Sequence, residues 1–203
     1  MLSHSVENGH VLTVPSRRFC QVEGFPLNRA RGTAKERILY AAEAVVRKQG
    51  ARKMSLDAVA ERAGVSKGGL LYHFPSKTRL LEAVVSSHLN RFDSDISGRP
   101  GLDAADGLLR AYLAEMLHRL AEGAPPASGM LAAAAENPAI LGPARHYGRD
   151  LLERLRANSA DPERATMIFL AVQGIWMAQF LGLDLIPREE AREVLERMGT
   201  KLT

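Results

Sequence analysis

The spacing of apolar side chains along the chain predicts an all-α fold. Beyond residue 32, Ile, Leu, Val and Ala recur every three or four positions, as they do on one face of an α-helix. The first helix is predicted from residue 33 to residue 49, where Gly50 is a natural stop. Ala and Leu dominate the apolar residues and only 5% of the residues are aromatic, a composition that also favours helices over sheets.

Three serines in close succession mark the next helix starts. A serine at an N-cap accepts a hydrogen bond from an unpaired amide of the first turn, and each of these serines precedes an apolar stripe: Ser55, Ser66 and Ser76. Gly64 separates the first two helices, and the third is predicted to continue to about Ile96. A helix of two turns, a tight turn and a second short helix are typical of the helix-turn-helix, which lays its second helix in the major groove of DNA.

Gly98, Pro100 and Gly101 predict a domain boundary. The pattern stays helical beyond it, with helices expected at about 102–122, 130–136, 139–157, 161–182 and 188–198, the last stopped by Gly199. We therefore expect a flexible tail over residues 1–32, a three-helix DNA-binding domain with its connecting helix over 33–96, and a second helical domain over 97–203.

Charge and cysteine content fit this division. Residues 1–95 hold 15 Lys and Arg against 9 Asp and Glu, and residues 96–203 hold 12 against 14. A basic first half is suited to a polyanion, although an ordinary solvated surface has the same composition. Cys20 is the only cysteine, so no intrachain disulfide forms, and no secretory signal pattern opens the chain. These features predict a cytoplasmic protein.

Residues 165–183 carry no charged side chain and match the length of a bilayer span. Thr166, Gln173 and Gln179 interrupt this stretch, and neither a basic cluster nor an aromatic belt flanks it. A helix buried in a subunit interface is the better interpretation of the two, so we expect no membrane association.

The second helix of the helix-turn-helix carries the candidate DNA contacts. Ser66 and Lys67 stand at its N-terminus, where unpaired amides and the helix dipole favour a phosphate. Gly68 and Gly69 follow, and each destabilises a helix by about 1 kcal/mol relative to alanine. Two such glycines in one turn indicate a surface that another molecule approaches closely; the alternative is a helix that frays.

The end of the same helix adds polar and aromatic groups. Tyr72 and His73 are expected on its exposed edge, within reach of phosphates or base edges, whereas Leu70 and Phe74 are expected in the core. Lys77 opens the next helix and is placed for a second phosphate.

The run AGVSKGGLLYHFPSKTRLL and the preceding KERILYAAEAVVRKQGARKMSLDAVAERAGVS resemble the DNA-binding domain of the TetR/AcrR family of bacterial transcriptional repressors. The resemblance covers residues 33 to about 89. It implies a homodimer of all-α subunits, a palindromic operator of double-stranded DNA, and a variable C-terminal domain that supplies the dimer interface and, usually, a pocket for a small inducer.

The resemblance also assigns positions. The groove helix would run from residue 66 to residue 73, and contacts to the phosphate backbone would fall to Thr33, Ser55, Tyr72, His73 and Lys77. Family members often have a hydroxyl residue at the position of Gly69 and an aromatic residue at that of Leu71. Base readout here would therefore rest on fewer side chains and on contact of Leu71 with a thymine methyl group.

In the second half, bulky residues are candidates to line a ligand cavity: Tyr112, Met116, Met130, Phe169, Trp176 and Phe180, with His146 or Arg149 as polar anchors. Ordinary core packing explains each of them as well, since any helical core has large side chains at this spacing. In the implied dimer, Gly174, Ala178 and Gly182 form a stripe of small residues that would let two helices approach closely.

These features predict a dimeric transcriptional repressor that an unidentified small molecule releases from its operator. The alternative is a DNA-binding regulator without a ligand, whose second half only dimerises or contacts another protein. We expect neither an enzyme nor a bound cofactor or metal. Phosphate-binding glycine loops, HExxH and the nucleophile elbow are all missing from the sequence, and Glu115 with His118 is one pair where a di-iron bundle needs two.

Overall fold

The computed structural model describes residues 32–123, 133–183 and 185–202, apart from the side chain of Phe180, and no strand occurs in these ranges. The all-α prediction is confirmed. The predicted tail, Cys20 and Met130 lie outside the described residues. The helices are α1 Ala34–Lys53, α2 Leu56–Ala63, α3 Lys67–His73, α4 Lys77–Ser97, α5 Gly107–Glu122, a 3₁₀ helix Pro138–Leu141, α6 Gly142–Asn158, α7 Pro162–Leu181 and α8 Arg188–Thr200, with one more helical turn at residues 133–136.

The helix starts that the sequence predicts from its serines are confirmed. The hydroxyl oxygens of Ser55, Ser66 and Ser76 each accept a hydrogen bond from the third amide of the following helix, at 3.1, 3.0 and 3.2 Å. Gly64 ends α2 with a left-handed backbone (φ 64°, ψ 41°), which glycine adopts without a steric penalty. Asp161 and Gly182 begin and end α7 in the same way, as their positions predict.

Three boundaries differ from the prediction. Gly50 interrupts α1 (φ 82°, ψ 154°) but the helix resumes as far as Lys53. α5 begins at Gly107 rather than near residue 102, because the positive φ of 59° at Asp106 interrupts a right-handed helix. Residue 107 is a glycine because a Cβ there would lie 2.1 Å from the carbonyl oxygen of Gly101. Gly199 does not stop α8, which continues to Thr200 because glycine also accepts helical dihedrals.

Two hydrophobic cores lie within residues 32–202. The first joins α1 to α4 and has fully buried side chains at its centre: Ile38, Val59, Leu70, Leu80 and Leu81. The second joins α5, α6, α7 and α8 with the end of α4: Ile96, Leu109, Tyr112, Leu151, Leu155, Phe169 and Leu195. α4 therefore enters both cores, and its 21 residues extend about 30 Å.

The division at residue 97 is not strict in the packing. Ala133 and Ile140, which follow that position in the chain, are buried in the first core beside the DNA-binding helices. Within the described ranges, no helix combines the length and apolar character that a bilayer span needs.

Candidate nucleic-acid interface

The short helix α3 is held by one face and presents the other to solvent. Leu70 is completely buried and Phe74 is 4% exposed, and both belong to the first core. Tyr72 is 85% exposed and Leu71 is 37% exposed, which is unusual for side chains of this size. The helix therefore has an outward face that contains an aromatic and an aliphatic group.

The serine caps leave donors on this outward side of the domain. Ser55 and Ser66 each use the hydroxyl oxygen to accept an amide hydrogen bond, so the hydroxyl proton is left to donate to a phosphate oxygen. Thr33 differs because its hydroxyl also donates to the carboxylate of Glu36 at 3.1 Å. The Thr33 hydroxyl can therefore donate to a phosphate only if its hydrogen bond to Glu36 is broken.

Both predicted lysines are partnered within the protein. Lys67 Nζ lies 3.0 Å from the carboxylate of Asp57, and both side chains are more than half exposed. Such a pair stabilises the fold by at most about 1 kcal/mol, so a phosphate can replace the carboxylate. Lys77 Nζ donates to the carbonyl oxygen of Arg52 at 2.7 Å, which leaves two of its three protons for another acceptor.

The two glycines of α3 differ in their surroundings. A Cβ at Gly69 would lie 3.3 Å from the hydroxyl oxygen of Ser66, a tight contact with the cap. A Cβ at Gly68 would lie 4.0 Å from the same atom, so among the described residues nothing demands a glycine there. The ring of His73, which is half-buried, meets Tyr72 edge-on with 5.2 Å between ring centroids.

Two family models match this chain. Residues 38–84 match the model described as bacterial regulatory proteins, tetR family, and residues 106–202 match a tetracyclin repressor-like C-terminal domain. The chain belongs to the tetR family. Its members are transcriptional regulators and not enzymes, in agreement with the sequence prediction.

The alignments with individual relatives cover different shares of this tetR-family chain. It is 39% identical over 72 residues to the HTH-type transcriptional repressor KstR of Rhodococcus jostii, an alignment that spans 36% of this chain and only 34% of KstR. The structure of SCO1917 from Streptomyces coelicolor A3, a member of the TetR family, superposes with a TM-score of 0.62 at 28% identity, covering 82% of this chain and 98% of that one. The multidrug binding protein EbrR, in complex with ethidium, does so with a TM-score of 0.62 at 27% identity over the same shares.

The candidate ligand residues of this tetR-family chain divide into two groups. Tyr112, Met116 and Phe169 are buried together in the second core, and Trp176 packs against it while partly exposed. His146 and Arg149 are exposed on α6. We correct these two candidates: side chains on the outer surface of α6 cannot anchor a ligand within the core. Met130 and the side chain of Phe180 lie outside the described residues.

Tyr112 has an unusual hydroxyl. Its side chain is 1% exposed, and no hydrogen-bond partner for the hydroxyl lies among the described residues. The ring meets Phe92 of α4 edge-on at 6.3 Å and lies 5.8 Å from Phe169 of α7, centroid to centroid. Burial raises the pKa of the Tyr112 phenol, so the group stays a neutral donor without an acceptor.

The predicted stripe of small residues on α7 needs correction at Ala178. This residue is 8% exposed and packs within the protomer, whereas Gly174 is exposed and Gly182 stands beyond the helix end as its cap. A different stripe lies on the outer face of α7: Met167, Leu170, Gly174, Met177 and Leu181. The four large members are 64%, 60%, 49% and 45% exposed.

The spacing of this second stripe is the alternation of three and four residues that packs helices side by side. The signal was present in the sequence, but large apolar residues occur on every side of this uncharged helix, so periodicity alone could not assign the outer face. Sequence reasoning also missed Asp57, Arg52 and Asn137, whose contacts join positions at least ten residues apart.

Proposed function

We propose that this chain is a dimeric DNA-binding repressor that a small molecule releases from a palindromic operator. The observation that carries the proposal is the outward face of α3, where the 85% exposed Tyr72 stands beside glycine backbone. A tyrosine of this exposure, in a domain whose capping serines Ser55 and Ser66 keep a hydroxyl proton to donate, is suited to a phosphate backbone and base edges.

The proposed binding mode follows from how α3 is held. Leu70 and Phe74 anchor it from behind, so its outer face can enter the major groove while the start of α2 lies along the phosphates. Lys67 would exchange its carboxylate partner for a phosphate oxygen, and Lys77 would donate one of the protons that its bond to Arg52 leaves available. Leu71, exposed beside Tyr72, would meet a thymine methyl group.

Dimerisation is supported by the outer stripe of α7. Four large apolar side chains aligned on one helix form the kind of exposed patch that marks an association surface. Gly174 lies within the stripe, and a Cβ there would meet no atom within 4 Å in the protomer. Two copies packed through this face would bring two α3 helices to half-sites about one DNA turn apart.

Regulation by a small molecule is supported by the hydroxyl of Tyr112. A buried hydroxyl without an acceptor destabilises the fold by about 1–3 kcal/mol, and a ligand acceptor would remove this penalty. The relative EbrR is a multidrug binding protein with an ethidium complex. Because Phe92 of α4 contacts the ring of Tyr112, a ligand beside Tyr112 would displace α4 and change the spacing of the two α3 helices.

One observation favours the alternative of a regulator without a ligand. Tyr112, Met116 and Phe169 are each at most 6% exposed and pack against one another in the second core. A core that is already filled offers a ligand less space than an open cavity would.

Selection of duplexes from a random DNA pool tests DNA binding directly. We expect enrichment of a palindrome and an affinity that falls steeply between about 50 and 200 mM salt. Tyr72→Ala should bind the selected duplex more weakly, with Tyr40→Ala on α1 as the control for loss of a tyrosine outside α3. Failure to enrich any sequence would refute the proposal.

A compound panel separates the two forms of the proposal. An inducer should raise the unfolding temperature and weaken operator binding, and Tyr112→Phe should lose the response to ligands that need the hydroxyl. Stabilising compounds that leave operator affinity unchanged would favour the regulator without an inducer.

A further inference from the structure

A segment from the second half of the chain reaches the DNA-binding helices; we call residues 133–141 the bridging segment. Ala133 and Ile140 are 5% and 3% exposed, and both are buried in the first core with Leu80 and Leu81 of α4. The segment ends in the 3₁₀ helix Pro138–Leu141, which contains Ile140. The first core is thus completed by residues about 40 positions beyond the end of α4.

Asn137 of the bridging segment makes a specific polar contact with the first turn of α4. Its side-chain amide nitrogen donates to the hydroxyl oxygen of Thr78 at 3.0 Å, and this bond is partly buried. Its side-chain oxygen accepts from the amide of Ala139 at 3.2 Å and so caps the 3₁₀ helix. The Asn137 side chain is therefore fixed within the bridging segment by its bond to Ala139, and it uses its amide nitrogen to hold Thr78 of α4.

A second contact ends at the same turn. The carboxylate of Glu136 pairs with Arg52 at 3.0 Å, and the carbonyl oxygen of Arg52 accepts from Lys77 Nζ at 2.7 Å. The Glu136 pair is exposed on both sides and contributes little by itself. What matters is where the pair lies: Glu136 contacts Arg52, the partner of Lys77, and Asn137 contacts Thr78, the next residue along α4.

We propose that Asn137, anchored by Ile140, is a positioning residue for the DNA interface: it fixes the first turn of α4 so that Lys77 meets a phosphate. The inference rests on the proposed DNA-binding function. Without the Asn137 bond the turn keeps its helix but gains freedom to rotate, so the ammonium of Lys77 reaches a phosphate at a higher entropic cost.

A double-mutant cycle tests this coupling. Thr78→Val removes the acceptor and keeps the shape, whereas Thr78→Ser keeps the hydroxyl and is the matched control. We expect Thr78→Val to weaken binding to the selected operator about fivefold, the size expected of one neutral hydrogen bond, and Thr78→Ser to leave it within twofold. Thr78→Val should also make the slope of log affinity against log salt concentration shallower by about one, the change expected for the loss of one phosphate contact.

Lys77→Ala supplies the other arm of the cycle. If Asn137 acts through Lys77, then adding Thr78→Val to Lys77→Ala should change operator affinity less than twofold. The same fivefold loss in both backgrounds would overturn the proposal, because a contact that only stabilises the fold acts whether or not Lys77 is present. Unchanged affinity of Thr78→Val in the wild-type background would overturn it too.

Hydrogen exchange gives a readout that needs no DNA. The amides of Arg79 and Leu80 bond to the side chain and carbonyl of Ser76, and they should exchange faster in Thr78→Val than in Thr78→Ser. If the wild type binds no selected duplex, the proposed function fails, and faster exchange would still establish that Asn137 holds this turn. Equal exchange in both variants would overturn the positioning role itself.

Discussion

The carboxylate of Glu115 and the guanidinium of Arg119 lie one turn apart on α5 and form an ion pair at 2.6 Å. Glu115 is 3% exposed, and its other oxygen pairs with Arg99 at 2.9 Å. Arg119 also reaches Asp95 of α4 at 3.1 Å and lies 4.6 Å from the ring centroid of Phe92. One buried carboxylate thus fixes an arginine that joins α5 to the connecting helix.

Glu115→Gln should therefore destabilise the fold. The substitution keeps the shape but leaves Arg99 and Arg119 without their shared buried charge, and breaking such a cluster costs about 3 kcal/mol. Urea denaturation would measure the loss. The control is Glu122→Gln on the same helix. The Glu122 side chain is half exposed, so this substitution should change the free energy of unfolding by less than about 0.5 kcal/mol. Equal effects of the two substitutions would contradict the assignment.

Gly68→Ala should move stability and DNA binding in opposite directions. A Cβ has room in the protomer, so the alanine should raise the free energy of unfolding by about 0.5–1 kcal/mol through helix propensity. The same Cβ would stand where the DNA backbone approaches α3, and operator affinity should fall about tenfold or more, as for a misfit in a close-packed interface. Thermal unfolding and fluorescence anisotropy measure the two effects. A more stable variant that binds as well as the wild type would mean that DNA does not approach this glycine.

The features that the sequence predicted correctly are local ones. Ser55, Ser66 and Ser76 each bond an amide three residues along, so the cap and its partner lie in one short window of sequence. Leu70 and Phe74 are expected in the core and both are buried; they lie four positions apart, so helical spacing places them on the same face. Where a structure depends on four or five consecutive residues, propensity and spacing carry enough information.

The features that could not be predicted depend on distant contacts. Ala178 and Gly174 look alike in an uncharged helix, and only the packing of the folded protomer buries the first and exposes the second. The bond from Asn137 to Thr78 joins residues 59 positions apart, and no periodicity in either segment indicates it. His146 and Arg149 are polar residues that the sequence allows as ligand anchors, but the packing of α6 leaves both exposed on its outer surface.

The pH dependence of stability should report on His88. Desolvation by neighbouring side chains, followed by the positive charges of Arg119 and Arg91, lowers the pKa of this partly exposed imidazole below its ordinary value of 6.5, against smaller opposing effects of Glu43 and Asp95. The unfolded chain therefore binds the proton more readily than the folded one, so the contribution of His88 to stability is present above pH 6.5 and is lost as the pH falls through the lowered pKa.

His88→Gln removes this titration. The urea midpoint should fall less between pH 7.5 and pH 5.5 in the variant than in the wild type. His146→Gln, on the exposed surface of α6, is the control and should show the wild-type decrease. A variant with the same loss of stability as the wild type would show that the charges around His88 do not govern its protonation.

The outer stripe of α7 predicts a dimer that one charge can separate. Leu170 is 60% exposed in the protomer, so Leu170→Glu should fold normally but place a carboxylate in the centre of the proposed subunit interface, where its desolvation is unfavourable. Size-exclusion chromatography with light scattering should give a monomer. Operator affinity should fall about 100-fold or more, because two linked α3 helices bind far more tightly than one.

Leu170→Met is the matched control for this substitution, since it keeps an apolar side chain of similar volume and should remain dimeric with unchanged affinity. The circular dichroism spectrum of Leu170→Glu establishes that its helices are intact. A folded Leu170→Glu that is still dimeric would move the interface away from α7, and a monomer with wild-type operator affinity would separate dimerisation from DNA binding.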